Sequence, residues 1–334
     1  MRLCAFWCSC LVRPSLGRVS AAPRLSPITG GNVWTEWRFE PVLVVAVALA
    51  AFGYLAAVRT ARGRGERVPV LAPVAFLVGG LGGLVVTSMG VLDAYHGRLF
   101  WAYCLRLGLL TTVVPALLAA GRPISVLRMA AGQRTRPLLD TLLDGPVWQA
   151  MGSPLIAPVV VPILSAAVLF SPVLEATLRH DVVDQLVMLA IVAAAAIVML
   201  PLFGEGTETS SLSIGVGVLV GIGELVLDAL PGLAVRMRSD LLAGSYWSAV
   251  PRPWGPNATR DQHLGGNILW ILAELIDLPF LAILAIRWIR ADAREAAVID
   301  RRLDQTASTS GPELLTPWWI TEQPGRYGPP PSDT

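Results

Sequence analysis

Long apolar runs restrict this chain more than any other feature. A hydrocarbon layer about 30 Å thick takes roughly 20 residues of helix at 1.5 Å each. Seven runs reach about that length, at 41–59, 69–90, 100–121, 154–172, 182–203, 211–235 and 265–287. The first reads PVLVVAVALAAFGYLAAVR. Pro41, Pro69 and Pro154 stand at run starts, where a helix loses nothing by lacking an N–H. Charged residues make up 15 % of the chain and mean hydropathy is +0.60, against about 25 % charged in soluble domains. The expected fold is an all-α integral membrane protein, a bundle of about seven transmembrane helices over residues 41–290. A flexible tail over 1–40 precedes it, and a tail over 291–334, mostly disordered after about 305, comes after it.

Arginine placement orients the bundle, since short cytoplasmic loops collect basic residues. Arg59, Arg62, Arg64 and Arg67 follow the first run, Arg122, Arg128, Arg134 and Arg136 the third, and Arg287, Arg290 and Arg294 open the tail. The loops after the second and fourth runs carry Arg98 and Arg179 alone. The N-terminus is therefore expected outside and the C-terminus in the cytoplasm. All 26 basic residues are arginine, in keeping with GC-rich coding and a bacterial plasma membrane. A net charge of +2 gives no general attraction to nucleic acid, and the expected surroundings are membrane lipid. The CAFWCSC segment places Cys4, Cys8 and Cys10 close together, either as a partial soft-metal set or as part of a mobile tail.

Ionisable groups inside hydrocarbon are costly unless paired or hydrated, so each is a candidate site residue. They are Arg106 in the third run, Asp181 and Asp184 at the start of the fifth, Glu224 and Asp228 in the sixth, and Glu274 and Asp277 in the seventh. Each of the last two pairs shares a helix face. Arg106 lies about 9 Å from the outer start of its span and Asp228 roughly 10 Å from the outer end of its own, so the two could meet. Two readings stay open: a polar cluster that holds the bundle together, or an outward-opening pocket that holds a cation or relays protons. His96, in DAYHGRLFW, and His263 are each open to a boundary role or a ligand role. No nucleotide-binding fingerprint or nucleophile–base pair is recognisable, so an enzyme is not expected.

The stretch DQHLGGNILW, 261–270, opens the last run. Asp261 and Gln262 suit the free backbone donors at that helix start, and Gly265 and Gly266 permit close approach of a neighbour. Extended to residue 304, the segment DQHLGGNILWILAELIDLPFLAILAIRWIRADAREAAVIDRRLD resembles the last span and tail of the CtaG-like cytochrome c oxidase assembly factors. The signature falls on Asp261, Gln262, Leu264, Gly265, Gly266 and Trp270, and the tail pattern on Trp288, Arg290, Asp292 and Arg294. Residues 99–130 resemble the family's third span, and DALPGLAV, 228–235, is a further match. The resemblance covers roughly residues 41–305.

It implies seven spans and a non-enzymatic role in assembling a terminal oxidase in the bacterial membrane, assisting copper insertion, with an oxidase subunit as partner. The chain also departs from the family. Where the family's third span carries an HMxQH pattern, this chain reads Tyr103, Cys104, Leu105, Arg106 and Leu107. The sixth-span histidine falls at Asp228, and only His180 stands near the fifth-span histidines. This is the pattern of a divergent member, for which Cys104, His180, Met188 and His263 are the candidate copper donors. Two other functions are compatible with the residues: an ion- or proton-handling transporter-like protein using the buried Arg, Asp and Glu, and a degenerate member acting as an interaction scaffold.

Overall fold

The computed structural model describes residues 27–29, 31, 37–132, 135–143, 145, 148, 156–200 and 211–310. No strand occurs among them. Helix α1 is Pro41–Gly63, α2 Leu71–Tyr95 and α3 Phe100–Ala130. They are followed by α4 Arg136–Leu143, α5 Ile156–Leu169, α6 Pro172–Arg179 and α7 Asp181–Met199. Then come α8 Ser211–Met237, the short α9 Gly244–Ala249 and α10 Ala258–Ser310.

Among the described residues, five helices are long and apolar enough to cross a membrane: α1, α2, α3, α7 and the Gly217–Met237 part of α8. The α5–α6 pair, bent by 65°, makes up to a sixth. Seven were expected. The fourth run does not leave as one straight helix, because Ser171 precedes Pro172 and is held extended. Its hydroxyl accepts the Val173 N–H at 3.2 Å, capping a new helix that starts in a new direction. The seventh run lies inside α10, where several side chains, that of Asp277 among them, fall outside the described residues. Helix α10 continues past residue 290, where the bundle was expected to end, as far as Ser310.

The chain divides into two compact units, residues 1–206 with 220–279, and residues 207–219 with 280–334. In the first, α3 is the central helix: 56 % of its apolar window is buried, against 22 % for α1. Leu107, Leu110 and Val114 of α3 join Met188, Ile191 and Val192 of α7 in the main core. Val45, Leu49 and Phe52 of α1 remain exposed, which suits a helix that faces lipid. Tyr54 of α1 stacks on Phe76 of α2 at 4.1 Å, and its hydroxyl donates to the Gly121 carbonyl at 2.7 Å. Just after that point in α3, Arg122 takes a left-handed φ of 52°. The second unit contains a close approach of its own, in which a Cβ at Gly215 would stand 3.0 Å from the Trp288 indole.

Candidate functional site

Helix α3 begins with backbone N–H groups that have no partner within the helix, and those groups carry the positive end of its dipole. Asp261, one turn into α10 and fully buried, supplies the counter-charge. Phe100 N–H donates to its Oδ2 at 2.8 Å and Trp101 N–H to its Oδ1 at 3.1 Å. Arg252 Nη1 donates to Oδ2 at 2.8 Å, and the same guanidinium lies 5.1 Å from the Trp247 ring centroid. The start of α10 itself is capped by Asn257, whose Oδ1 accepts the Arg260 N–H. Asp261 therefore caps a neighbouring helix and not its own, contrary to expectation.

Gln262 and His263 act on the connection that leads out of α8. Gln262, 1 % exposed, accepts the Leu242 N–H at 2.8 Å and donates to the Asp240 carbonyl at 3.0 Å. His263 Nε2 lies 3.2 Å from the Arg238 carbonyl. The glycines meet the expectation of close approach. A Cβ at Gly265 would stand 2.7 Å from the Phe100 ring, and one at Gly266 2.6 Å from the Gly232 carbonyl of α8. Leu264 and Trp270 are partly exposed, and Trp270 Nε1 donates to Glu274 Oε1 at 3.1 Å.

A second buried knot lies at the same end of the unit, where α2 ends and α3 and α7 begin. Arg106, 1 % exposed, donates through Nη1 to Asp184 Oδ2 at 2.6 Å, and its Nη2 pairs with Asp93 Oδ1 at 3.1 Å. Arg106 thus pairs with these two acids and not with Asp228. His96 Nδ1 is 3.7 Å from the Asp93 carboxylate. Burial, and after it the Arg106 charge, hold the His96 pKa below its ordinary value, so the imidazole is neutral near pH 7. Further out, Arg38 reaches Asp181 at 3.6 Å and Asp93 at 4.0 Å. Beside the knot, the Tyr103 hydroxyl and Thr177 Oγ1 are 3.0 Å apart.

Asp93 was missed as a site residue because it sits at the last turn of its span and reads as part of the boundary. The available signal was DAYH, an acid three residues before a histidine and so on the same helix face. Arg252 carried no signal, because its partner is nine residues away across a loop.

The donors for copper are dispersed. Cys104 and Met188 lie in the apolar core, with the Cys104 sulfur against Gly265, and His180 is exposed at the start of α7. Cys4, Cys8 and Cys10 lie outside the described residues. Among the described residues, the one group of His, Cys, Asp and Glu that could share an ion is Asp93, His96 and Asp184, with ligand atoms within 4.8 Å of one another. Two of its three donors are hard carboxylate oxygens, and the Arg106 guanidinium pairs with one oxygen of each carboxylate. A soft-donor copper site does not fit that set. Glu224 and Asp228 of α8 are half-buried, and Asp228 lines a small cavity with Thr111, Ser165 and Pro231.

Comparison with known proteins places this arrangement. The family described as cytochrome c oxidase caa3 assembly factor matches residues 52–291. Uncharacterised proteins of Mycobacterium bovis and Mycobacterium tuberculosis are each 28 % identical over 287 residues, covering 83 % of this chain and 43 % of the relative. One of Mycobacterium leprae is 25 % identical over 282 residues, 82 % of this chain and 42 % of the relative. The chain spans less than half the length of these curated relatives. No solved structure matches. With the match extending over residues 52–291, from α1 into α10 and across the Asp261 and Arg106 knots, the chain belongs to the cytochrome c oxidase caa3 assembly factor family.

Proposed function

We propose that this chain is a non-catalytic, multi-pass assembly factor for a terminal cytochrome c oxidase of a bacterial plasma membrane, with its N-terminus outside and its C-terminus in the cytoplasm. The observation that carries the reading is the family match over residues 52–291, within which Asp261 and Gln262 form buried bonds. Those bonds and the Arg106 knot tie α2, α3, α7, α10 and the α8–α9 connection at one end. A bundle held this way offers a fixed set of helix faces against which an oxidase subunit can settle while it matures. Assistance in copper insertion is the narrower reading of the family role. It is supported here only by Cys104 and Met188, which are packed in the core, so assembly through helix contact is the form that the geometry favours.

Deleting the gene and recording the reduced-minus-oxidised oxidase spectrum tests this. The expected result is loss of the oxidase signal and of copper from the purified oxidase. Both should be restored by the wild-type chain and by Cys104→Ser. Normal spectra and normal copper content in the deletion strain would refute the assembly role.

A further inference from the structure

Where α8 leaves its membrane span, it and the start of α10 border an open groove. The two backbones touch just before it, at Gly232 and Gly266, and a Cβ at Gly266 would stand 2.8 Å from the Arg236 nitrogen. Arg236, Met237, Arg238 and Ser239 line the groove from the end of α8, and Thr259 and His263, one helical turn apart, line it from α10. Its volume of about 610 Å³ is that of a site for an organic group and not for a bare ion. Met237 is the last residue of the apolar span Gly217–Met237, so the groove lies at the membrane–water boundary.

The charge at this boundary is unbalanced. Arg238 is matched, since its Nε and Nη2 donate to the Asp240 carboxylate. Arg236 is exposed, and among the described residues its side chain makes no hydrogen bond or ion pair; the same holds for Arg260, next to Thr259. An apolar track leads away from the groove on its membrane side. Met237, Leu233, Leu230 and Val226 recur at spacings of four, three and four residues, which puts them on one face of α8, and all four are exposed. The track runs roughly 16 Å along the helix at 1.5 Å per residue, from the groove towards mid-membrane.

We propose that this groove binds one anionic phospholipid, with its phosphate held by Arg236 and the Thr259 hydroxyl and an acyl chain laid along the exposed face of α8. A guanidinium presents several N–H donors in a planar fork that matches a phosphate, and it supplies the positive charge that a phosphodiester needs. A free anion would use the arginine and leave the apolar track uncovered. A zwitterionic lipid would bring an ammonium of its own to a boundary that already carries unmatched positive charge, so the lipid selected is one with net negative charge. The site is independent of the assembly role and of the Asp261 and Arg106 knots, none of whose side chains line it.

The experiment uses the full chain purified in a non-ionic detergent and equilibrated with equal amounts of phosphatidylglycerol and phosphatidylcholine carrying the same acyl chains. Native mass spectrometry reads which lipid is held first. Phosphatidylglycerol should be preferred by about fivefold or more at that first position. Arg236→Gln should remove the preference, Arg236→Lys should keep most of it, and Thr259→Val should weaken it severalfold. Arg59→Gln, at an exposed arginine of α1, should leave it unchanged. An excess of inorganic phosphate should not displace the lipid, since phosphate has no acyl chain. Equal retention of the two lipids by the wild type overturns the proposal, as does release of the lipid by phosphate, which would mark a site for a small anion. Equal losses in Arg59→Gln and Arg236→Gln also overturn it, because they would show attraction to net charge and not to this groove. Should Arg236→Gln fail to fold, an unchanged preference in Thr259→Val overturns it equally.

Discussion

Asp261 combines a charge, full burial and bonds to two elements other than its own helix, and such a residue is costly to truncate. Asp261→Ala strands the Arg252 guanidinium and two backbone donors, and should cost about 3–5 kcal/mol of stability. Asp261→Asn keeps the shape and one acceptor, and should cost less. Thermal melts of the purified variants check both. At His96 the sign of the pH effect follows from burial. Its folded value lies below the ordinary 6.5, so between the two the unfolded chain binds more protons than the folded one. The His96 contribution to stability should therefore fall as pH drops from above 6.5 through that window. His96→Gln should flatten this part of the stability profile, measured as melting temperature against pH. The sequence marked Asp261 and Gln262 as polar groups at a helix start, but their partners at Phe100, Trp101 and Leu242 are set by three-dimensional contact alone.

At the scale of elements, α8 and α10 cross backbone against backbone. A Cβ at Gly232 would stand 2.7 Å from the Gly266 carbonyl, and one at Gly266 would stand 2.8 Å from the Arg236 nitrogen. Backbone cannot yield as a side chain end can, so Gly266→Ala should cost about 1–3 kcal/mol or more by overpacking. Gly223→Ala in α8, with nothing within 4 Å, should be neutral or stabilise by about 0.5–1 kcal/mol. Comparing the two in one melting series separates steric contact from the general effect of removing a glycine. Among the described residues, five of the seven apolar runs correspond to single helices able to span, and a sixth does so only if the bent α5–α6 pair counts as one span, because apolar length decides whether a segment can cross. The break between α5 and α6 was also written in the sequence, as Ser171 before Pro172, but a run scored only for hydropathy passes over it. The extension of α10 to Ser310 had no such marker.

At the scale of the whole molecule, the Arg106 knot joins α2, α3 and α7, and the guanidinium supplies the positive charge between the two acids. Arg106→Met should cost about 3–5 kcal/mol by leaving Asp93 and Asp184 buried and unmatched, and adding Asp93→Asn and Asp184→Asn should recover part of that loss. Chemical or thermal unfolding of the single and triple variants tests the coupling. Because the soft donors are dispersed, a chain with Cys4, Cys8 and Cys10 changed to serine should hold well under one Cu(I) per chain. Metal analysis after gel filtration measures it. The sequence by itself determined the resemblance to the family, and also the solvent, the helical class and most of the spans, since each of these follows from composition or spacing along one helix. Which acids Arg106 would take, that Asp93 would be one of them, and that Asp261 would cap α3 were decided only by the tertiary structure. A charge buried in low dielectric pairs with whatever opposite charge packing brings within about 3 Å, and that neighbour can lie any distance away along the chain.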